Sequence, residues 1–277
     1  MDAPARATWR LIQTLPAPGA WNMAVDEALL LGMDAPGALP VLRLYAWEPA
    51  CLSLGYAQPY QDVDLQALMS HGWELVRRPT GGRAILHTDE LTYAVIGPPD
   101  EPRLAGGVLE SYQRLSQALL QALLDLGLAV QSQEQAGGAP NIAAKGPVCF
   151  EVPSNYEITV DGKKLVGSAQ ARRKEGILQH GSLPLYGDLT RITQALCFAS
   201  EEARQAAAAR LLQRATTAEA CLGQPLAWGP AAQAFSRAFA TRLNLELQPS
   251  ALSSVELEQA EHLAKSKYRA DSWNQRV

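Results

Sequence analysis

The sequence predicts an α+β fold with a mixed, largely antiparallel sheet flanked by helices. Three observations predict it. Segments of helical spacing stand apart from runs of adjacent strand-like segments, one pair of such runs is joined by Asp-Gly, and the chain from Glu201 onward reads as mostly helical.

The first helix is expected over Trp21–Leu31. Trp21, Ala24, Val25, Ala28 and Leu29 form an apolar stripe there, and Gly32 offers a stop. Strand-like runs follow at Val41–Trp47, Cys51–Gly55, Glu74–Arg78, Ala84–His87 and Leu91–Ile96. A second long helix, Glu110–Leu126, carries Tyr112, Leu115, Leu119, Leu123 and Leu126 at helical spacing, with Gly127 after it. The clearest hairpin is YEITV-DG-KKLVG, because Asp-Gly suits the two positive-φ positions of a type I′ turn. With a two-residue turn, Val160 pairs with Lys163, Thr159 with Lys164, Ile158 with Leu165 and Glu157 with Val166. Alternation then puts Lys164, Val166, Ser168 and Gln170 on one face, and Lys163 and Leu165 on the other. A further strand, Ile177–Leu185, follows the turn at Lys174–Gly176, and Glu201–Thr217 reads as a surface helix.

The 277 residues are read as one domain spanning 1–277, with 201–277 as a mainly helical C-terminal extension of it. Hydrophobic residues make up 47% and charged residues 19%, as in an ordinary globular protein. A formal net charge of −4 argues against a general nucleic-acid binder and leaves room for a local basic patch. MDAPARATWR lacks the apolar run of a signal peptide, and the longest apolar stretch, Leu115–Val130, is broken by Gln117, Gln121 and Asp125. No membrane association is expected. Cys51, Cys149, Cys197 and Cys221 lie far apart with no C-x-x-C pair, which favours free thiols and a cytoplasmic setting over a disulfide framework or zinc site.

No phosphate loop, nucleophile elbow or zinc helix is present, and the four histidines lack metal-ligand spacing. The chemistry concentrates elsewhere. RRPTGGRAILH packs Arg77, Arg78, Thr80, Gly81, Gly82, Arg83 and His87 between two strand-like runs. Its glycines allow close backbone approach to a ligand, and exposed amides could bind an anion or oxyanion. An ordinary Gly-Gly turn with solvated arginines fits the same residues. Cys51, Cys197 and Cys221 read as structural, whereas Cys149 sits in a Gly/Pro-punctuated loop just before the hairpin. Lys164 fits either a solvated strand position or a partner for that thiol. An ammonium near a cysteine lowers the thiol pKa from about 8.5 toward neutrality, giving a nucleophile and a proton carrier suited to acyl transfer. His87 and His180 each close a β-like run and are read as structural or pocket-shaping, since neither has a Ser or Cys beside it in sequence.

Together these segments resemble the lipoate–protein ligase A and octanoyltransferase superfamily. The likeness runs almost end to end, through GAWNMAVDEALL, LRLYAWEPACLSLGYAQ, VRRPTGGRAILHTDELTYAVIGP, VCFEVPSNYEITVDGKKLVGSAQARRKEGILQHGSLPL and KSKYRADSWN. Within it the chain is most similar to the LipM-type octanoyltransferases, which carry a nucleophilic cysteine where Cys149 stands. The resemblance implies a biotin/lipoate protein ligase-like domain and puts the family lysine on Lys164. It implies transfer of an octanoyl group from octanoyl–acyl carrier protein, through a Cys149 thioester, to a lysine of a lipoyl-domain protein such as the glycine-cleavage H protein. No cofactor is implied beyond the acyl carrier as co-substrate. Arg77, Arg78, Thr80, Gly81, Gly82, Arg83, His87, Gly167, Ser168, Ala169, Gln170, His180 and Gly181 would bind substrate. Arg77, Arg78 and Arg83, with Arg172, Arg173 and Lys174 as a second patch, would receive the acidic carrier proteins. Three other readings remain open: an ATP-dependent lipoate–protein ligase that dispenses with Cys149, an amidotransferase drawing on octanoylated H protein, and a catalytically silent acyl- or biotin-binding relative, against which the presence of both Cys149 and Lys164 counts.

Overall fold

The chain is described at residues 4–134 and 156–277 of a computed structural model. Along it run β1 (Ala7–Gln13), α1 (Gly19–Leu31), β2 (Val41–Tyr45), β3 (Cys51–Leu54), α2 (Leu65–His71), β4 (Glu74–Arg77), β5 (Ile85–His87) and β6 (Glu90–Gly97). Then come α3 (Val108–Asp125), β7 (Gln131–Glu134), β8 (Tyr156–Val160), β9 (Lys163–Arg172), β10 (Ile177–Pro184), α4 (Glu201–Arg214), α5 (Ala218–Leu222) and α6 (Trp228–Arg242). β11 (Leu245–Pro249), α7 (Ser254–Leu263) and α8 (Asp271–Asn274) complete the order.

The main sheet is eight-stranded, in the order β11-β1-β2-β6-β10-β9-β8-β7. β1 runs parallel to both β11 and β2, and every other neighbouring pair is antiparallel. A separate three-stranded sheet, β4-β3-β5, stands beside it. The expected mixed, largely antiparallel sheet is therefore the observed one.

Period-two alternation sorts the main sheet into two faces. Leu42 and Leu44 of β2, and Leu91, Tyr93 and Val95 of β6, meet Leu115, Leu119 and Leu123 of α3 and Phe235 and Phe239 of α6. Val41, Tyr45, Ala94, Ile96 and Leu178 meet Val25 and Leu29 of α1 and Ala260 and Leu263 of α7. Each fully buried aliphatic or aromatic side chain contributes about 1.5–3 kcal/mol of transfer free energy. The stripe seen in the sequence of α1 leads one to expect a solvated back. The helix has none: it is buried at every position from Gly19 to Leu30 except Trp21. Its polar Asn22, Asp26 and Glu27 are consequently obliged to find partners inside the protein.

The chain after Glu201 is mainly helical as expected, but Leu245–Pro249 is a strand that closes the parallel edge against β1. α4 begins after Ser200, whose hydroxyl accepts the Ala203 amide, and stops at Arg214, short of Thr217. Cys197 is exposed, not buried among the apolar residues that precede it.

The hairpin forms at Asp161-Gly162, both with positive φ, and Val160–Lys163 and Thr159–Lys164 pair as expected. Beyond them the register differs. Ile158, not Glu157, pairs with Val166, because Leu165 is the extra residue of a β-bulge. The bulge undoes the expected grouping of Lys164 with Val166, Ser168 and Gln170. Lys164 shares the side of Thr159, which is also the side of Gly167 and Ala169.

Phe235 is fully buried with its ring 6.2 Å from that of Tyr93. Phe235→Ala is expected to destabilise the protein by about 3–5 kcal/mol, measured as a shift in the urea unfolding midpoint at unchanged m.

Candidate active site

Where α1 leaves the sheet, the face it covers turns polar. Across the strands, Arg43, Ala94, His180 and Ala169 form one row, and Tyr45, Thr92, Ser182 and Gly167 form the next. Ala94 on β6 and Gly167 and Ala169 on β9 thus lie beside hydrogen-bonding side chains on β2 and β10, which leaves room in front of the polar groups.

Asp26 of α1 reaches into this region. One carboxylate oxygen accepts from Arg43 Nη1 at 2.7 Å, and the other from Tyr45 Oη at 2.9 Å and from His180 Nδ1 at 3.2 Å. Arg43 also donates to Asn22 O and Oδ1, and the Tyr45 ring lies 3.8 Å from its guanidinium. Burial by itself raises the Asp26 pKa, but Arg43 and His180 together outweigh it and hold the carboxyl below the usual carboxylate range. Burial, with Arg78 and His87 nearby, pushes His180 down despite Asp26, so the imidazole is neutral near pH 7. His180 therefore donates from Nδ1 to Asp26, and its Nε2, 2.7 Å from Thr80 Oγ1, accepts the threonine hydroxyl.

Thr80 belongs to the glycine-rich segment after β4. Arg77 is fully buried and donates to the carbonyls of Gly55, Gln58 and Asn274. Its own amide donates to Asn274 Oδ1, and its carbonyl accepts from Trp273 Nε1. The same C-terminal segment reaches α1, where Lys267 and Tyr268 both hydrogen-bond to Glu27. Arg78 donates to Ser53 O and Oγ and to the carbonyls of Gly81 and Arg83. A Cβ on Gly55 would lie 1.8 Å from Gly82 O, so glycine at 55 lets the two loops touch.

His87, on β5, is flanked on both ring nitrogens. Ser53 Oγ lies 2.7 Å from Nε2 and Glu90 Oε1 lies 2.8 Å from Nδ1. The Trp47 ring stacks on the imidazole at 3.9 Å between centroids.

These groups enclose a cavity of about 50 Å³. Arg78, Gly81, Gly82, His87, Gly167, Ser168, Ala169, His180 and Gly181 line it. Trp47 borders both this cavity and a wider cleft of about 820 Å³ that also touches Leu15, Tyr186 and Trp228. Thr80 stands behind His180, and Arg83, half-buried, contributes its carbonyl to Arg78. Lys164 is buried in β9 ahead of Gly167, at a bridge to Ala215. Cys149 lies outside the described residues.

Four expected roles are corrected. Arg77 and Arg78 are not docking charges for a carrier protein, because both are buried and bonded to backbone carbonyls. Gln170 is turned to the α3 side, where its amide donates to Ser111 Oγ and Gln179 Oε1 at 3.0 Å each. Of the second patch, Arg173 is half-buried and pairs with buried Glu27 at 2.5 Å, whereas Arg172, which donates to Leu104 O, and Lys174 are exposed. His87 does have a serine beside it: Ser53 is 34 residues away in sequence and adjacent in space.

Sequence reasoning missed Asp26, Trp47, Ser53, Glu90 and Ser182. The one legible signal was Asp26-Glu27, an acidic pair inside an apolar stripe. Among the described residues no three His, Cys, Asp or Glu side chains come together as a metal cluster, and no helix is long and apolar enough to cross a membrane.

A family model described as the lipoyl protein ligase A/B catalytic domain matches residues 18–240. The chain is similar to octanoyltransferase LipM of Brevibacillus brevis, with 40% identity over 272 residues covering 97% of this chain and 99% of that one. It is 38% identical over 273 residues to octanoyltransferase LipM of Bacillus subtilis, covering 97% and 98% of the two chains. Among solved structures it is similar to a bipartite lipoate protein ligase of Thermoplasma acidophilum, with a TM-score of 0.81, 23% identity and coverage of 98% and 97%. A lipoate-protein ligase A bound with ATP gives a TM-score of 0.78 at 23% identity, covering 97% and 98%. These two likenesses show a shared fold.

Two outcomes follow from this geometry. Gly55→Ala is expected to cost roughly 1–3 kcal/mol by overpacking and to displace the Gly81–Gly82 loop, read out by thermal melting and by protease sensitivity at Arg83. Because the His180 pKa is depressed, its contribution to stability is present above the unfolded imidazole value of about 6.5 and is lost as pH falls toward the folded value. Urea titrations from pH 7.5 to pH 5 should show this decline, and His180→Gln should flatten it.

Proposed function

The chain belongs to the lipoyl protein ligase A/B catalytic domain family, and on that premise we propose the route of the acyl group it transfers. It is an acyltransferase acting in octanoyl transfer for lipoate biosynthesis. In our reading the donor is octanoyl–acyl carrier protein, and Cys149 takes the acyl group as a thioester. The acceptor is a lysine of a lipoyl-domain protein such as the glycine-cleavage H protein. Exchanging one thioester for another conserves the bond type, so no nucleotide is needed for the first half-reaction.

The observation that supports this reading is the bulge at Leu165. It sets buried Lys164 on the same side of β9 as Gly167 and Ala169, which line the cavity. In the proposed mechanism Lys164 favours the Cys149 thiolate, which attacks the donor carbonyl and expels the carrier thiol. The acceptor amine, with an ordinary pKa of about 10.4, is mostly protonated at neutral pH and must lose a proton before it attacks the acyl-enzyme. Lys164 assists that transfer, and main-chain donors at Gly81–Gly82 or Gly167–Ala169 stabilise the tetrahedral oxyanion. Burial of the acyl chain supplies about 0.8 kcal/mol per CH₂, so the depth of the cavity selects chain length.

Intact-mass analysis after incubation with octanoyl–acyl carrier protein, without ATP, tests the scheme. The unaltered chain is expected to gain one octanoyl group, Cys149→Ser none, and Lys164→Ala to acylate at least about 10²-fold more slowly. Modification of the acceptor that depends strictly on ATP and survives Cys149→Ser would instead identify an adenylate-forming ligase.

A further inference from the structure

One constellation in the cavity is not used by the acyl-transfer scheme. Ser53 Oγ lies 2.7 Å from His87 Nε2, and His87 Nδ1 lies 2.8 Å from Glu90 Oε1. Glu90 also accepts from Ser182 Oγ at 2.8 Å and from the Thr92 hydroxyl. Burial raises the Glu90 pKa, but its bonds to His87, Thr92 and Ser182 outweigh this and hold it as a carboxylate. A carboxylate at Nδ1 keeps the imidazole proton on that nitrogen, so the Nε2 lone pair faces the Ser53 hydroxyl. Trp47, stacked on the ring and tied by Nε1 to Thr92 Oγ1 at 2.8 Å, prevents the imidazole from turning. Arg78 Nη1 stands 3.1 Å from Ser53 Oγ. Ser53 and His87 line the cavity, whereas Glu90 lies behind them.

These are a nucleophile, a base and an orienting carboxylate in the spatial order that serine acyl transfer requires, with a cation beside the oxygen. They are drawn from β3, β5 and β6, and no short sequence motif announces them.

We propose that Ser53 is a second nucleophile, with His87 as its base and Glu90 as the orienting carboxylate, and that the chain hydrolyses esters of unbranched carboxylic acids in this cavity. Ser53 Oγ bonds to the acyl carbon as its proton passes to His87 Nε2. The ester C–O bond then breaks, and His87 returns that proton to the leaving alcohol. Water attacks the Ser53 ester, gives a proton to His87, and the acid departs as Ser53 Oγ is reprotonated. Arg78 stabilises the negative charge that develops on oxygen in both steps. A cavity of about 50 Å³ has room for only a few waters, which favours a slim unbranched acyl group over a bulky branched one. The site does not involve Cys149, so its fate is separate from that of the transferase scheme.

The test uses the full chain carrying Cys149→Ser. Hydrolysis of p-nitrophenyl butyrate is expected, faster than that of the branched trimethylacetate ester. Adding Ser53→Ala should lower it by at least about 10³-fold, and His87→Gln should lower it comparably. A fluorophosphonate probe on the unaltered chain gives a reading that does not depend on a variant folding: peptide mass spectrometry should find the adduct on Ser53, and butyrate ester should compete with it. Absence of an adduct on Ser53, or hydrolysis that Ser53→Ala leaves intact, would overturn the proposal. Hydrolysis seen only when Cys149 is present would overturn it too, while leaving the transferase scheme standing.

Discussion

A carboxylate and a guanidinium removed from water decide how α1 lies on the sheet. Asp26 and Arg43 are both fully buried, and their mutual attraction offsets a desolvation cost of several kcal/mol per ion. An apolar pair of similar volume could match that stability, so the distinctive effect of the ion pair is directional. Asp26 can satisfy its oxygens in one arrangement, with Arg43, Tyr45 and His180 around it. His180 in turn holds Thr80 and so the loop that carries Gly81 and Gly82. A helix near the start of the chain thereby sets a loop on the second sheet through three hydrogen-bonded side chains, Asp26, His180 and Thr80.

The arginines of RRPTGGR look out of place in a chain of net charge −4. Two of the three are spent inward. Residues 77–80 are buried while Gly81 and Gly82 are exposed, and the irregular backbone here and in the neighbouring segments has carbonyls with no ladder to join. A guanidinium, with five donors in a fixed fork and no acceptor, serves several such carbonyls at once. Arg77 and Arg78 do this from opposite sides of the chain, one toward the C-terminal segment and one toward Ser53 and Gly81. Positive charge here is a form of backbone capping.

Much of the architecture was legible because it rests on local pattern. α1 and α3 follow from apolar spacing and terminal glycines, and the hairpin follows from Asp-Gly. β11 was not legible, since LELQP has a single buried residue, Leu245, and depends on its pairing with β1. The bulge at Leu165 escaped for a related reason: nothing in KKLVG marks which residue will be extra, and one extra residue reverses the side of every position before it. Within the site, the glycines, His87 and His180 were visible as punctuation and polarity in apolar runs. Ser53 and Ser182 were invisible, because each takes its meaning from a neighbour dozens of positions away, and Glu90, though three residues from His87, carried no sign of the serines around that pair. Asp26 lay between the two cases, marked by charge within an apolar stripe but with no hint of its partners.

The clasp between Asn274 and Arg77 joins positions 197 apart. The backbone amide and guanidinium of Arg77 gain those partners only after residue 274 has left the ribosome. The segment bearing Gly81 and Gly82 therefore acquires this anchorage only after 197 further residues have been added, long after the strands beside it have emerged.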